Sequence, residues 1–157
     1  MPNLHATCVA IETPEGARAL LLRGPSGAGK SDLAFRMIAL GAKLVADDQV
    51  ELQAAASRLQ ARAPARLRNI IEIRGLGLVH MPALDSAEAI LLVDLVPPYA
   101  VPRLPEPAHE TLCGITIPLM RLEAFSAAAA LKALQALRLA QSGLLFASDL
   151  AALRKEP

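Results

Sequence analysis

The chain has no tryptophan, one tyrosine and three phenylalanines among 157 residues, so a core built on aromatic bulk is excluded. Hydrophobic residues still make up 54% of it, much of that alanine and leucine, and the core is expected to be aliphatic. An excess of charge of one sign is also missing. Sixteen basic and fifteen acidic residues are interleaved for a net +1, which leaves no broad basic field to hold nucleic acid. Mean hydropathy is high at +0.38, yet charged residues interrupt every apolar stretch before the roughly 18 to 20 residues that a spanning helix needs. No membrane partner is expected. Met1 to Leu4 carries no Lys or Arg, so the basic flank of a secretory signal is lacking and a cytoplasmic location is expected. The two cysteines, Cys8 and Cys113, lie far apart without metal-ligand spacing and read as small buried hydrophobes. Residues 1–157 fit one domain able to bury a core without disulfides.

Leu4 to Ile11 is a strand-like run that stops at Thr13-Pro14-Glu15-Gly16, where Pro in second place and Gly in fourth suit a type I turn. Arg18 to Leu22 is strand-like again, giving a hairpin whose second strand feeds a glycine-rich loop. If the hairpin is symmetric, facing residue numbers sum to about 29, which sets His5 beside Gly24. Ser31 to Leu40 has helical spacing and Gly41 stops it. Strands are expected at Lys43–Ala46, Ile70–Ile73, Ala89–Val96 and Thr116–Leu119. Five prolines between Pro97 and Pro107 make that segment a loop. A helix is expected over Glu123–Ala140, ending near Ser142-Gly143, with a last short helix capped by Ser148.

Gly24-Pro25-Ser26-Gly27-Ala28-Gly29-Lys30-Ser31 has the form Gly, four residues, Gly-Lys-Ser between a strand and a helix. Glycines let successive amide hydrogens point inward at anionic oxygens, and the positive end of the following helix adds to the attraction. Lys30 can reach the terminal phosphates of a nucleoside triphosphate, and the Ser31 hydroxyl is placed to ligate magnesium. ATP with Mg2+ is the expected ligand.

Asp47 and Asp48 end an apolar strand and are expected on the same sheet edge as the loop, one to hold magnesium and the other to handle a proton. A helix cap or solvated turn is the structural alternative. Alternation in Ile70-Ile71-Glu72-Ile73 puts Glu72 and Arg74 on one face. Glu72 then needs a partner, either magnesium or Arg74. His5 is a candidate to orient an aspartate.

Leu4-His5-Ala6, GPSGAGKSDLA at the loop, LVADDQVEL around the acid pair and IIEIRGLGLV around Glu72 together resemble the HPr kinase/phosphorylases of the bacterial sugar phosphotransferase system. The resemblance spans roughly residues 4 to 120. It implies an α/β fold, a phosphate-loop nucleotide-binding domain of the HPr kinase and phosphoenolpyruvate carboxykinase type. It further implies a serine kinase acting on HPr, a reverse phosphorolysis, and a hexameric assembly. By motif, Lys30 would bind phosphates, Ser31 with Glu72 would hold the metal, and Asp47 would be the general base. Asp48 would support the metal or phosphates, His5 would hydrogen-bond Asp47, and Arg103 would sit on a mobile loop aiding dephosphorylation.

Two departures stand out. The typical member carries an additional amino-terminal domain, so the chain resembles a short single-domain form. Pro118-Leu119-Met120-Arg121-Leu122 replaces a Gly-Arg-Asn segment, which bears on dephosphorylation and oligomer contacts. A small-molecule kinase and a nucleotide-sensing regulatory module are the competing readings.

Overall fold

Thr13 and Gly16 close the first hairpin, and every pair along it sums to 29, as expected, from Thr13↔Gly16 to Ala6↔Arg23. Neither Pro14 nor Glu15 has a positive φ. The Thr13 hydroxyl donates to the Gly16 carbonyl (2.7 Å) and accepts from the Glu15 N–H (3.2 Å), so the turn is held by its own side chain. The computed structural model describes residues 2–146 and 154. The expected helix at Ser148 lies outside them.

The strands are β1 (Asn3–Thr13), β2 (Gly16–Arg23), β3 (Lys43–Ala46), β4 (Gln49–Ala55), β5 (Arg58–Arg62), β6 (Ile70–Ile73), β7 (Gly77–His80), β8 (Ala87–Leu95), β9 (His109–Leu112) and β10 (Ile115–Leu122). Two α-helices accompany them, α1 (Lys30–Ala39) and α2 (Ala129–Ser142). The main sheet runs β2-β1-β4-β5-β8-β10-β9, β3 pairs with β1, and β2 also pairs with β8, so β2, β1, β4, β5 and β8 close a ring. β6 and β7 form a separate hairpin. The α/β expectation holds, but the sheet is curled and mixed rather than open, with β2, β8 and β10 parallel to one another and the remaining pairings antiparallel.

Strand alternation divides the buried side chains into two clusters. Cys8, Leu21, Val50, Leu59 and Leu92 fill the inside of the ring. Val9, Leu20, Leu22, Leu91 and Val93 point the other way, against Leu33, Ala34 and Met37 of α1 and Ala133, Leu134 and Leu137 of α2. Both helices therefore cover one face, and Ile71 brings the β6–β7 hairpin into the same cluster. Cys8 is fully buried, and desolvation pushes its thiol well above the usual range. Cys113 departs from expectation: it is exposed, in a two-residue turn where both Cys113 (φ 51) and Gly114 (φ 80) take left-handed backbone.

α2 begins at Ala129 rather than Glu123. The carbonyls of Ala124 and Ser126 accept from the Arg36 guanidinium, and the Glu123 carboxylate accepts the Phe125 N–H, so these backbone groups are satisfied outside a helix. At the other end Gly143 is left-handed and the Leu144 N–H bonds to the Leu139 carbonyl, a 6→1 closure that stops the helix where expected. Among the described residues no helix is long and apolar enough to cross a membrane.

Candidate functional site

β2 delivers the chain from the buried core to Gly24, and the loop that follows turns into α1 at Lys30. The turn depends on Gly29, which caps the helix at φ 94. A Cβ there would lie 2.9 Å from the Ala124 Cβ and 3.0 Å from the Phe125 ring, so backbone strain and collision coincide. Gly29→Ala is expected to lower stability by about 1–3 kcal/mol, read as a fall in the urea midpoint at unchanged m-value. Lys30 is 8% exposed. Its ammonium donates to the Gly24 carbonyl (2.7 Å) and the Pro25 carbonyl (3.1 Å), folded across the loop with only neutral acceptors.

β3 and β4 both pair with β1, β3 along Cys8–Ala10 and β4 along Asn3–His5, with Asp47 and Asp48 between them. The Gln49 N–H bonds to the Asp47 carbonyl (2.8 Å) and Asp48 has φ 69, a tight turn within an otherwise continuous edge. In an unbroken strand adjacent acids would face opposite ways. The turn instead sets both acids against the β1 face that carries His5 and Thr7.

The two acids then differ. Asp47 is 5% exposed and accepts from three donors: the Ser31 hydroxyl (2.7 Å) and Thr7 hydroxyl (2.8 Å) at Oδ1, and the Glu72 N–H (2.9 Å) at Oδ2. Asp48 is exposed, and its Oδ1 lies 3.0 Å from His5 Nε2. The expected His5–Asp47 bond is thus corrected to His5–Asp48. The reason is reach: Thr7, two residues farther along β1, already occupies Asp47.

Glu72 stands on an exposed position of β6 while Ile71 is buried, so the expected alternation holds. It needs no buried partner, and among the described residues it makes no ion pair with Arg74 within 4 Å. Both line a cleft of about 380 Å³ together with His5, Asp48, Lys30 and Ser31. Ser26, Gly27 and Gly29 of the loop also line it. Arg103 lies in an exposed stretch and is not among the residues lining this cleft. A smaller hollow of about 270 Å³ at the far end of α1, lined by Leu40, Lys43 and Arg138, contains none of the candidate residues. No cluster of three or more His, Cys, Asp or Glu able to hold a metal occurs among the described residues.

Sequence reasoning missed Thr7, although its period-2 relation to His5 was a usable signal. It also missed Arg23, the last residue of β2. The Arg23 guanidinium forks onto Asp94 of β8 (2.6 and 3.0 Å) and pairs with Glu110 of β9, with one contact at 2.9 Å. These hydrogen bonds, Asp94 first, raise its pKa above an already high value, so it is a permanent cation pinning the strand that ends at Gly24. Its side chain is 28% exposed. Arg23→Ala, which strands two carboxylates, is expected to lose about 1–3 kcal/mol in chemical unfolding. Lysine should not restore it, lacking the planar fork.

The fold and the cleft define an α/β domain with a glycine loop, a folded-back lysine and the acids Asp32, Asp48 and Glu72 lining one cleft. The same fold is found in the solved structure of the Hpr(Ser) kinase/phosphatase from Coxiella burnetii, with a TM-score of 0.79 over 92% of this chain and 99% of that one, at 23% identity. Residues 3–93 match the family described as HPr Serine kinase C-terminal domain, and the chain belongs to that family. The resemblance carried by the four motifs is borne out. Among similar proteins, the HPr kinase/phosphorylase of Leptothrix cholodnii is 37% identical over 62% of this chain and 34% of its own length. That of Geobacillus thermodenitrificans is 42% identical over 46% and 24%. That of Aromatoleum aromaticum is 48% identical over 40% and 20%. The matched region thus spans about a third or less of these relatives.

Proposed function

We propose that the chain is a protein serine kinase that takes the terminal phosphoryl group of ATP, with magnesium, and transfers it to a serine of the phosphocarrier HPr. The observation that carries this reading is the convergence of Lys30, Ser31, Asp48 and Glu72 on one cleft beside the glycine loop. Relatives named HPr kinase/phosphorylase support the choice of acceptor.

The residues present fit a nucleotide and a metal. The glycine loop leading into the α1 N-terminus suits phosphate oxygens. The Lys30 ammonium, held only by neutral carbonyls, can exchange them for an anion. Magnesium is usually bound by one or two protein oxygens plus substrate phosphates, and the Ser31 hydroxyl and the Glu72 carboxylate both line the cleft. Ser31 and Glu72 would supply those oxygens, and the metal's charge would neutralise the phosphates. Asp47, which accepts from three donors, orients the Ser31 hydroxyl and ties β6 to the loop.

The base role is assigned to Asp48 rather than Asp47. Its carboxylate faces the cleft with one oxygen held by His5, leaving the other to accept the serine proton. In phosphorolysis of phosphoserine-HPr the same group returns the proton to the serine oxygen as phosphate attacks. Positioning and charge neutralisation supply most of the acceleration. A multimeric, cytoplasmic protein belongs to the same reading.

Incubation with γ-labelled ATP, magnesium and purified HPr tests it. Label on an HPr serine is expected, and unlabelled HPr beside clear nucleotide binding would refute transfer and leave a sensor. Excess inorganic phosphate with phosphoserine-HPr should release pyrophosphate if the reverse step operates.

A further inference from the structure

Phe125 is an apolar ring left 65% exposed in a chain with three phenylalanines, yet the backbone around it is tied down. Its N–H donates to the Glu123 carboxylate (2.7 Å). The carbonyls on either side, Ala124 and Ser126, accept from the Arg36 guanidinium. Arg36 pairs in turn with Asp32 (2.9 Å), the first-turn acid of α1 that also lines the cleft. The ring edge rests on Gly29, where a Cβ would sit 3.0 Å from both Cε1 and Cζ. Core packing does not explain a large ring that remains mostly in water, and the hydrogen bonds fix it on the rim of the glycine loop. Phe125 is the sole apolar side chain other than glycine positions among the described residues lining that cleft. Nucleobases stack on aromatic rings through their π-faces, and every base offers one.

Resting on the nucleotide reading above, we propose that Phe125 is the stacking platform for the base of the bound nucleoside triphosphate. Arg36 and Glu123 are its positioning residues, linking the platform to the first turn of α1 so that base and phosphates are held by one rigid unit. Because every base offers a π-face, the ring by itself separates nucleotides from bare polyphosphates.

The absence of tryptophan makes Phe125→Trp a single-indole reporter. With magnesium present, ATP and GTP should quench its fluorescence, and tripolyphosphate should not. By calorimetry, Phe125→Ala should weaken ATP and GTP about tenfold or more, leave tripolyphosphate within about twofold, and be largely rescued by Phe125→Tyr. Because the ring is exposed, its removal opens no core cavity, and unfolding curves of the alanine variant check that. Equal effects of Phe125→Ala on ATP and tripolyphosphate, or no effect on either, would overturn stacking while leaving nucleotide binding intact. If the unaltered chain binds neither ATP nor tripolyphosphate, the nucleotide reading falls and the platform with it.

Discussion

Transfer of label from ATP to HPr is expected to fall by about a thousandfold or more when Lys30 is replaced by alanine, because on the proposed reading the cation that would neutralise the transferring phosphoryl group is lost. Lys30 is nearly buried and touches only the Gly24 and Pro25 carbonyls. Removing it frees two acceptors at the loop surface and leaves no carboxylate without its partner. The variant should therefore fold, with a stability change of about 1 kcal/mol. Arginine is expected to fare little better, since its planar fork is the wrong shape for a cradle filled by a single ammonium. A Lys30→Ala protein that labels HPr within threefold of the unaltered rate would remove the lysine from the mechanism.

Asp48→Asn should lower kcat by roughly two to four orders of magnitude with nucleotide affinity retained, the pattern for loss of a general base. Asparagine tolerates the left-handed backbone that Asp48 adopts at φ 69, so the substitution removes the acceptor without straining the turn. Asp47→Asn should behave differently. An amide NH2 there faces at least one donor among Thr7, Ser31 and the Glu72 N–H, in a buried position, at a cost of about 1–3 kcal/mol. Its main signature should be lower stability and weaker magnesium dependence. If Asp47→Asn is as stable as the parent and inert while Asp48→Asn still transfers, the two roles exchange.

The parts of the fold that were legible are those whose local chemistry agrees with their tertiary setting. The first hairpin, α1, β3 and β6 each combine a clear period with a punctuating residue, and the structure places them within two residues of expectation. β4 and β5 went unseen because their connection, Ala56-Ser57, has left-handed φ values of 51 and 64 without the Asn-Gly or Asp-Gly that usually marks such a turn. The start of α2 was misplaced because Arg36, some 90 positions away in sequence, takes the carbonyls that would have continued the helix.

Of the candidate residues, His5, Lys30, Ser31, Asp48 and Glu72 share the cleft and Arg103 does not, but their division of labour was not legible. Asp47 and Asp48 are chemically identical neighbours, and only the three-residue turn between β3 and β4 decides which is buried under Thr7 and Ser31 and which meets His5. Phe125 carried no sequence signal, since an aromatic beside alanines ordinarily reads as the start of a core helix.

The closure of β1, β2, β4, β5 and β8 into one ring also bears on where small residues are placed. So narrow a bore has room for little more than methyl groups at many of its inward positions, and Ala6, Ala10, Ala19, Ala46, Ala61, Ala87 and Ala89 occupy them. Part of the chain's high hydropathy is thus the filling of a small-calibre tube, beside the larger apolar cluster under the two helices. Each added methylene there would push staves apart at a cost of about 1–3 kcal/mol, and the displacement would travel along β2 to the loop it supports.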